Sequence, residues 1–361
     1  MKSVKMKSAN LFCLAAAGVG IFLAAPAVRA QATREKVVVD DVDRTYTVRL
    51  PHGYDKQKHY PVVILLHSMG QDSDDMERLT QFDQLADKEG IITVYPLALH
   101  GRWNVGVRPK PLQQMGPGYG RRRYGYPGGG GYPGGGGGGY PNGGGNNPNG
   151  QQPGQKRDDD KKPVETDDVG FFNQMLDDMG TKFSVDSSRI YAAGLSEGGF
   201  MSLRLGCALS DRIAAIASVA ASMPKTMICL PTRPVPLLMI DGTSDPVVPY
   251  GGGTEHNLDL ATLSVEDSAK AWAKIDHCGE KPDKSKLDAK GKMETRVDTF
   301  NGCQQNASVV LYSVKGAGNT WPGGEQYEAE NTIGKTDQDL NANELVWKFL
   351  GGQKLAEKSA Q

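Results

Sequence analysis

The residues best suited to chemistry in this 361-residue chain are Gly194-Leu195-Ser196-Glu197-Gly198. An apolar, β-prone run at 190–193 enters this pentapeptide, and a helical pattern carrying Phe200, Leu203, Leu205 and Ala208 leaves it. Gly-x-Ser-x-Gly between a strand and a helix turns the backbone sharply and holds the serine hydroxyl at the tip of the turn, above a helix N-terminus. Ser196 is therefore the candidate nucleophile. A serine hydroxyl attacks well only when a neighbouring base takes its proton, so an acid and a base are needed further along. Asp245 suits the acid: it follows an apolar run at 236–240 and is stiffened by Pro246 and Pro249, with Asp241 as the alternative. Aspartate before proline is also a common turn element, so the serine motif upstream decides the reading.

The elements that must position these residues are legible in outline. Residues 36–40 and 44–50 alternate as an edge hairpin, and 61–66 is a continuous apolar run of the kind buried on both faces of a parallel sheet. The turn His67-Ser68-Met69-Gly70 leads to a helix over 76–90 and a strand over 91–97. A helix over 166–183, capped by Thr166 or Asp167, follows; Asp167 and Asp168 favour its dipole more than they suggest a metal pair. Strands at 213–220, 236–240 and 309–314 and helices at 264–278 and 340–350 complete an α/β fold, with a mostly parallel central sheet and helices on both faces.

Residues 1–30 carry Lys2, Lys5 and Lys7, an apolar run at 11–25 and Val28-Arg29-Ala30, the layout of a cleaved secretory signal peptide. Cys13, inside that run, lacks the small preceding residue of a lipidation site. Residues 31–361 form a single domain, interrupted at 111–162 by a Gly/Tyr/Pro-rich low-complexity insertion with too little apolar surface to fold. No further segment is apolar enough to span a membrane. Export suits disulfides: Cys207, Cys229, Cys278 and Cys303 allow three connectivities, of which pairing between sequence neighbours is favoured. A net charge of −1 gives no electrostatic case for nucleic acid.

The serine motif, Asp245-Pro-Val-Val-Pro-Tyr-Gly-Gly, Gly101-Arg-Trp-Asn104, Asp167-Asp-Val-Gly-Phe171 and Trp321-Pro-Gly-Gly324, in this order of roles, resemble the secreted polyhydroxybutyrate depolymerase/feruloyl esterase-like family of α/β-hydrolases. The resemblance runs from about residue 45 to 349, apart from the insertion. It implies cleavage of a small or polymeric carboxylic ester without cofactor or metal, with Ser196 as nucleophile and Asp245 as acid. The oxyanion would be held by the N–H of Glu197 and one from Ser68 or Met69, although relatives carry glycine where this chain has Ser68. Relatives also carry Gly-His-x-Trp-Pro-Gly-Gly, where this chain reads Gly318-Asn319-Thr320-Trp321-Pro322-Gly323-Gly324. Asn319 thus occupies the place of the family histidine, and an amide does not shuttle protons near neutral pH.

Of the remaining histidines (His52, His59, His67, His100, His256 and His277), His256 is the candidate substitute base, because it follows the glycine run after the acid. They are too scattered for a zinc site. Trp103, Trp321 and Tyr250 are candidate pocket residues. Two readings result: an exported esterase with an impaired triad, or a non-catalytic relative whose cleft and insertion engage a polymer, glycan or the cell envelope.

Overall fold

The computed structural model describes residues 32–106, 166–255, 260–287 and 293–356. The expected leader, the 111–162 insertion and His256 lie outside the described residues.

The chain opens with a hairpin of β1 (Ala32–Val39) and β2 (Val42–Arg49), closed by Asp40 and Asp41 at φ of 49° and 61°. Positive φ at both turn positions matches the twist of the flanking strands. There follow β3 (Tyr60–Leu66), α1 (Ser73–Thr80), α2 (Phe82–Glu89) and β4 (Ile92–Pro96). Past the loop at 97–106 come α3 (Asp168–Lys182), β5 (Val185–Leu195), α4 (Glu197–Ala208), β6 (Ala215–Val219) and β7 (Leu237–Gly242). A small ribbon of β8 (Gly253–Glu255) and β9 (Leu260–Thr262) precedes α5 (Val265–Ile275) and the paired strands β10 (Asp283–Lys286) and β11 (Thr295–Phe300). Then β12 (Val309–Val314), α6 (Glu330–Ile333) and α7 (Ala342–Leu350) close the fold.

Ten strands form one sheet in the order β1-β2-β4-β3-β5-β6-β7-β12-β11-β10. The run from β4 to β12 is parallel throughout, and the outer strands are added by antiparallel pairing at each edge. In β3, Val62, Ile64 and Leu66 join a core with Phe172 and Trp272, while Val63 and Leu65 join a second core with Met76, Leu79 and Val346. Both faces of the strand are buried, and this explains its unbroken apolar run. Helices α3 and α5 cover one face and α1 and α7 the other, which is the α/β arrangement expected from the sequence. The parallel strands bring the loops after β3, β5, β7 and β12 to one end of the sheet, where ligand sites of such sheets form.

Two expectations need correction. The helix over 76–90 is two helices, broken at Gln81 in the left-handed region (φ 50°, ψ 32°). Thr80 Oγ1–H bonds back to Met76 O, and Asn343 in α7 donates to Thr80 O at 2.7 Å, so a distant element fixes the break. Strands β10 and β11 were not foreseen; β10, Asp283-Lys284-Ser285-Lys286, is wholly exposed and carries no apolar alternation. Disulfides join Cys207 to Cys229 and Cys278 to Cys303, the favoured connectivity. Among the described residues no helix is long and apolar enough to cross a membrane.

Candidate active site

Ser196 sits between β5 and α4 with φ 54° and ψ −115° and makes no side-chain cap bond. This region is sparsely populated for L-residues, and such strain persists only where the surroundings enforce it. The flanking glycines are the enforcers. A Cβ on Gly194 would overlap the Gly198 carbonyl, and one on Gly198 would overlap the Leu66 carbonyl. Strand, turn and helix therefore touch backbone to backbone. Ser196 N–H donates to Val219 O at 2.8 Å, tying the turn to β6.

Asp245 lies on the loop after β7 and is 9% exposed. Its Oδ1 accepts from the Val247 and Val248 N–H groups at 2.7 and 2.8 Å, and its Oδ2 accepts from Asn319 Nδ2 at 2.9 Å. Burial pushes its pKa up to about 7, against these three hydrogen bonds, which pull it down. Asp241, the alternative acid, instead accepts from the Ala221 N–H at 2.9 Å, so Asp245 is the carboxyl that meets position 319.

Asn319 follows β12 and is 1% exposed. Its N–H donates to Ile333 O at 2.6 Å, and Gly318 N–H donates to Lys335 O at 2.9 Å. A Cβ on Gly318 would overlap the Ile333 carbonyl, so only glycine allows this close pairing. The Asn319 amide is fully engaged. Nδ2 donates to Asp245 and, at 3.3 Å, to Ala220 O, while Oδ1 accepts from the Tyr327 hydroxyl at 3.2 Å. Tyr327, which no sequence signal marked, also donates to Asn319 O at 2.9 Å. Both amide protons and the amide oxygen have partners, and none of these is Ser196.

The turn after β3 is clamped by its own histidine. His67 Nδ1–H donates to Ser68 O at 2.7 Å, and Nε2 accepts from Ala98 N–H at 3.1 Å. These partners define the neutral tautomer, and burial lowers the pKa to about 4. Ser68 N–H is taken by Gln71 Oε1 at 3.1 Å. Of the two expected donors in this turn, the Ser68 N–H is thus already committed, whereas no bond is seen from the Met69 N–H among the described residues. The Glu197 N–H, in the first turn of α4, lacks an intrahelical partner by geometry.

Other expected residues lie elsewhere. Trp103 is 2% and Trp321 0% exposed. Trp103 packs on His67 and Phe172, and Trp321 Nε1–H donates to Asn343 Oδ1, so both indoles are core residues and not pocket rim. Tyr250 is half-buried, with its hydroxyl 2.6 Å from Ser313 Oγ on β12, and so anchors the loop carrying Asp245. Asp167 caps α3, and Asp168 is buried against Arg44 at 2.6 Å, so they are not a metal or acid–base pair. His52 and His59 precede β3, and His277 adjoins Asp276, which bonds Val235 at the start of β7; all three lie at the opposite end of the sheet from Ser196. His100, exposed on the loop after β4, is at the same end as Ser196.

No protein-family profile matches the chain. A protein named "Putative esterase NocK", from Nocardia uniformis subsp. tsuyamanensis, is 25% identical over 91% of this chain and 85% of its own length. Feruloyl esterase B of Piromyces equi is 34% identical over 43% of this chain, a match spanning only 29% of that protein. Feruloyl esterase D of Neurospora crassa is 23% identical over 86% of this chain and 83% of its own length. A ferulic acid esterase structure from Anaeromyces mucronatus aligns with 90% of each chain at 17% identity and a TM-score of 0.46.

Proposed function

We propose, from its similarity to proteins named esterase and feruloyl esterase, that this chain is an exported carboxylic-ester hydrolase of the α/β-hydrolase type whose serine has lost its base. Ser196 would attack the ester carbonyl, and the N–H groups of Glu197 and Met69 would receive the oxyanion. In the family reaction an imidazole takes the serine proton and returns it to the leaving alcohol. The observation that carries the reading of impairment is the 2.9 Å bond from Asn319 Nδ2 to Asp245: the acid is paired, but with an amide. An amide has no pKa in the working range, so the proton has nowhere to go. Loss of the base from a serine triad costs on the order of 10⁶ in turnover, leaving roughly 10³–10⁴ over water.

Export is supported by the signal-like residues 1–30 and by two disulfides. The second reading, a binding protein for an ester-bearing polymer or glycan, is favoured by the fully engaged amide of Asn319. Turnover of p-nitrophenyl butyrate by the purified chain and by Ser196→Ala tests the proposal. Slow hydrolysis that disappears in the variant supports it. Brisk hydrolysis that depends on Ser196 refutes the impairment, and hydrolysis equal in both proteins refutes the nucleophile.

A further inference from the structure

One buried acid at this site has no part in the pairing of Asp245 with Asn319. Glu197, directly after Ser196, is 1% exposed, and a carboxyl is costly to bury without partners. Its Oε2 accepts from the Trp103 N–H at 3.2 Å, and its Oε1 lies 3.6 Å from Arg102 Nε. Burial raises its pKa to about 8 despite both contacts. The partners of this carboxyl all lie outside α4.

What the carboxyl does reach is the loop that holds the other half of the site. Three bonds tie 98–103 to the turn after β3: Ala98 N–H to His67 Nε2 at 3.1 Å, Gly70 N–H to Gly101 O at 2.9 Å, and Trp103 Nε1–H to His67 O at 2.9 Å. The Trp103 ring also lies 5.0 Å from that of His67. On its far side the loop is held by Asp168, whose Oδ2 accepts from Asn104 N–H at 2.6 Å. Neither 102–104 nor the turn belongs to a strand or helix, so their positions depend on these bonds.

We propose that Glu197 is a positioning residue: its side chain braces the 98–103 loop and thereby sets the spacing between the two N–H groups, on Glu197 and Met69, that face a developing oxyanion. This rests on the esterase reading, since the donors matter only if an oxyanion forms. The brace runs from the residue bearing one donor to the turn bearing the other through a single side chain and a buried ring. A displacement of about 1 Å in a positioned group can cost on the order of 10² in rate, so even a small relaxation of the loop would be felt.

The test compares Glu197→Met, which keeps the volume and loses the acceptor, with Glu197→Gln, which keeps an acceptor for the Trp103 N–H. Expected is a fall in kcat of about 10²-fold for Glu197→Met with KM within threefold, and recovery to within about fivefold of wild type for Glu197→Gln. A folded Glu197→Met with kcat within threefold of wild type overturns the brace, as does an equal fall in both variants. Amide hydrogen exchange gives a readout independent of turnover and of whether the variants fold. In the wild-type chain the Trp103 amide should be protected as strongly as amides in β5, although it lies in a loop; exchange at a loop rate overturns the proposal. Absence of any ester turnover would sink the esterase reading alone, leaving the brace to be judged by exchange.

Discussion

Replacing Asn319 by histidine is expected to raise ester turnover by about 10²–10⁴-fold, part of the roughly 10⁶ that a serine triad owes to its base. The geometry is favourable because histidine Nδ1 stands two bonds from Cβ, as asparagine Nδ2 does. An imidazole can therefore place Nδ1–H where Nδ2 now donates to Asp245 at 2.9 Å, with Nε2 directed beyond the present amide. The costs are small. The 3.3 Å bond to Ala220 O and the 3.2 Å bond from Tyr327 to Oδ1 are lost, at about 1 kcal/mol each or less. Tyr327 keeps its 2.9 Å bond to the main-chain carbonyl of residue 319. A pocket sized for an amide will seat the larger ring imperfectly, so the gain falls short of the full factor. The assay is kcat/KM for p-nitrophenyl butyrate from pH 5 to 9, with Ser196→Ala/Asn319→His as control. The pH profile of Asn319→His should show an imidazole ionisation in addition to any titration of Asp245 that wild type shares. A folded variant with wild-type melting temperature and less than threefold gain would refute the claim that position 319 withholds the base.

Three further outcomes are expected. Ser196→Gly should relieve the backbone at φ 54° and stabilise the fold by ~1 kcal/mol in urea melts, the strain of ~1–3 kcal/mol less the added freedom of the unfolded chain; a destabilised variant would mean the turn is unstrained. Asp245 binds its proton more tightly folded (about 7) than its ordinary 3.8, so its contribution to stability is full below pH 3.8 and is lost as pH rises through 7. The melting temperature of Asp245→Asn relative to wild type should accordingly rise between pH 4 and pH 8, each kcal/mol being worth ~2–4 °C in a domain of this size; a relative fall over that range would reverse the sign. Replacing either disulfide pair by serines, across sequence separations of 22 and 25, should cost about 3 kcal/mol; a loss below ~1 kcal/mol would show that the crosslink constrains little of the unfolded chain.

What could be read from the sequence was whatever repeats along the chain or sits within a short motif. The buried strands announce themselves as apolar runs because both faces of the sheet are covered, and the turn around Ser196 is encoded by Gly194 and Gly198, each two residues from it. Strand β10 was invisible because an exposed edge strand has no apolar face to display. The break at Gln81 depends on Asn343, 263 residues beyond the Thr80 carbonyl it bonds, and no local pattern records it. At the site, the loops bearing Asp245 and Asn319 were legible as segments following strands. The hydroxyl of Tyr327 and the carboxyl of Glu197 were not, since what matters about them is the partner each one meets. Trp103 and Trp321 misled for the opposite reason: aromatic residues near a motif suit a pocket rim or a core equally, and only burial tells them apart.

The imidazole of His67 is spent on its own main chain, with both ring nitrogens bonded to backbone groups. It is therefore not free to carry a proton, because recruiting it would dismantle the turn it holds together. On the proposed reading, an imidazole beside Asp245 is reached more directly at position 319, where one nucleotide separates asparagine from histidine and the bond to the carboxyl is already made.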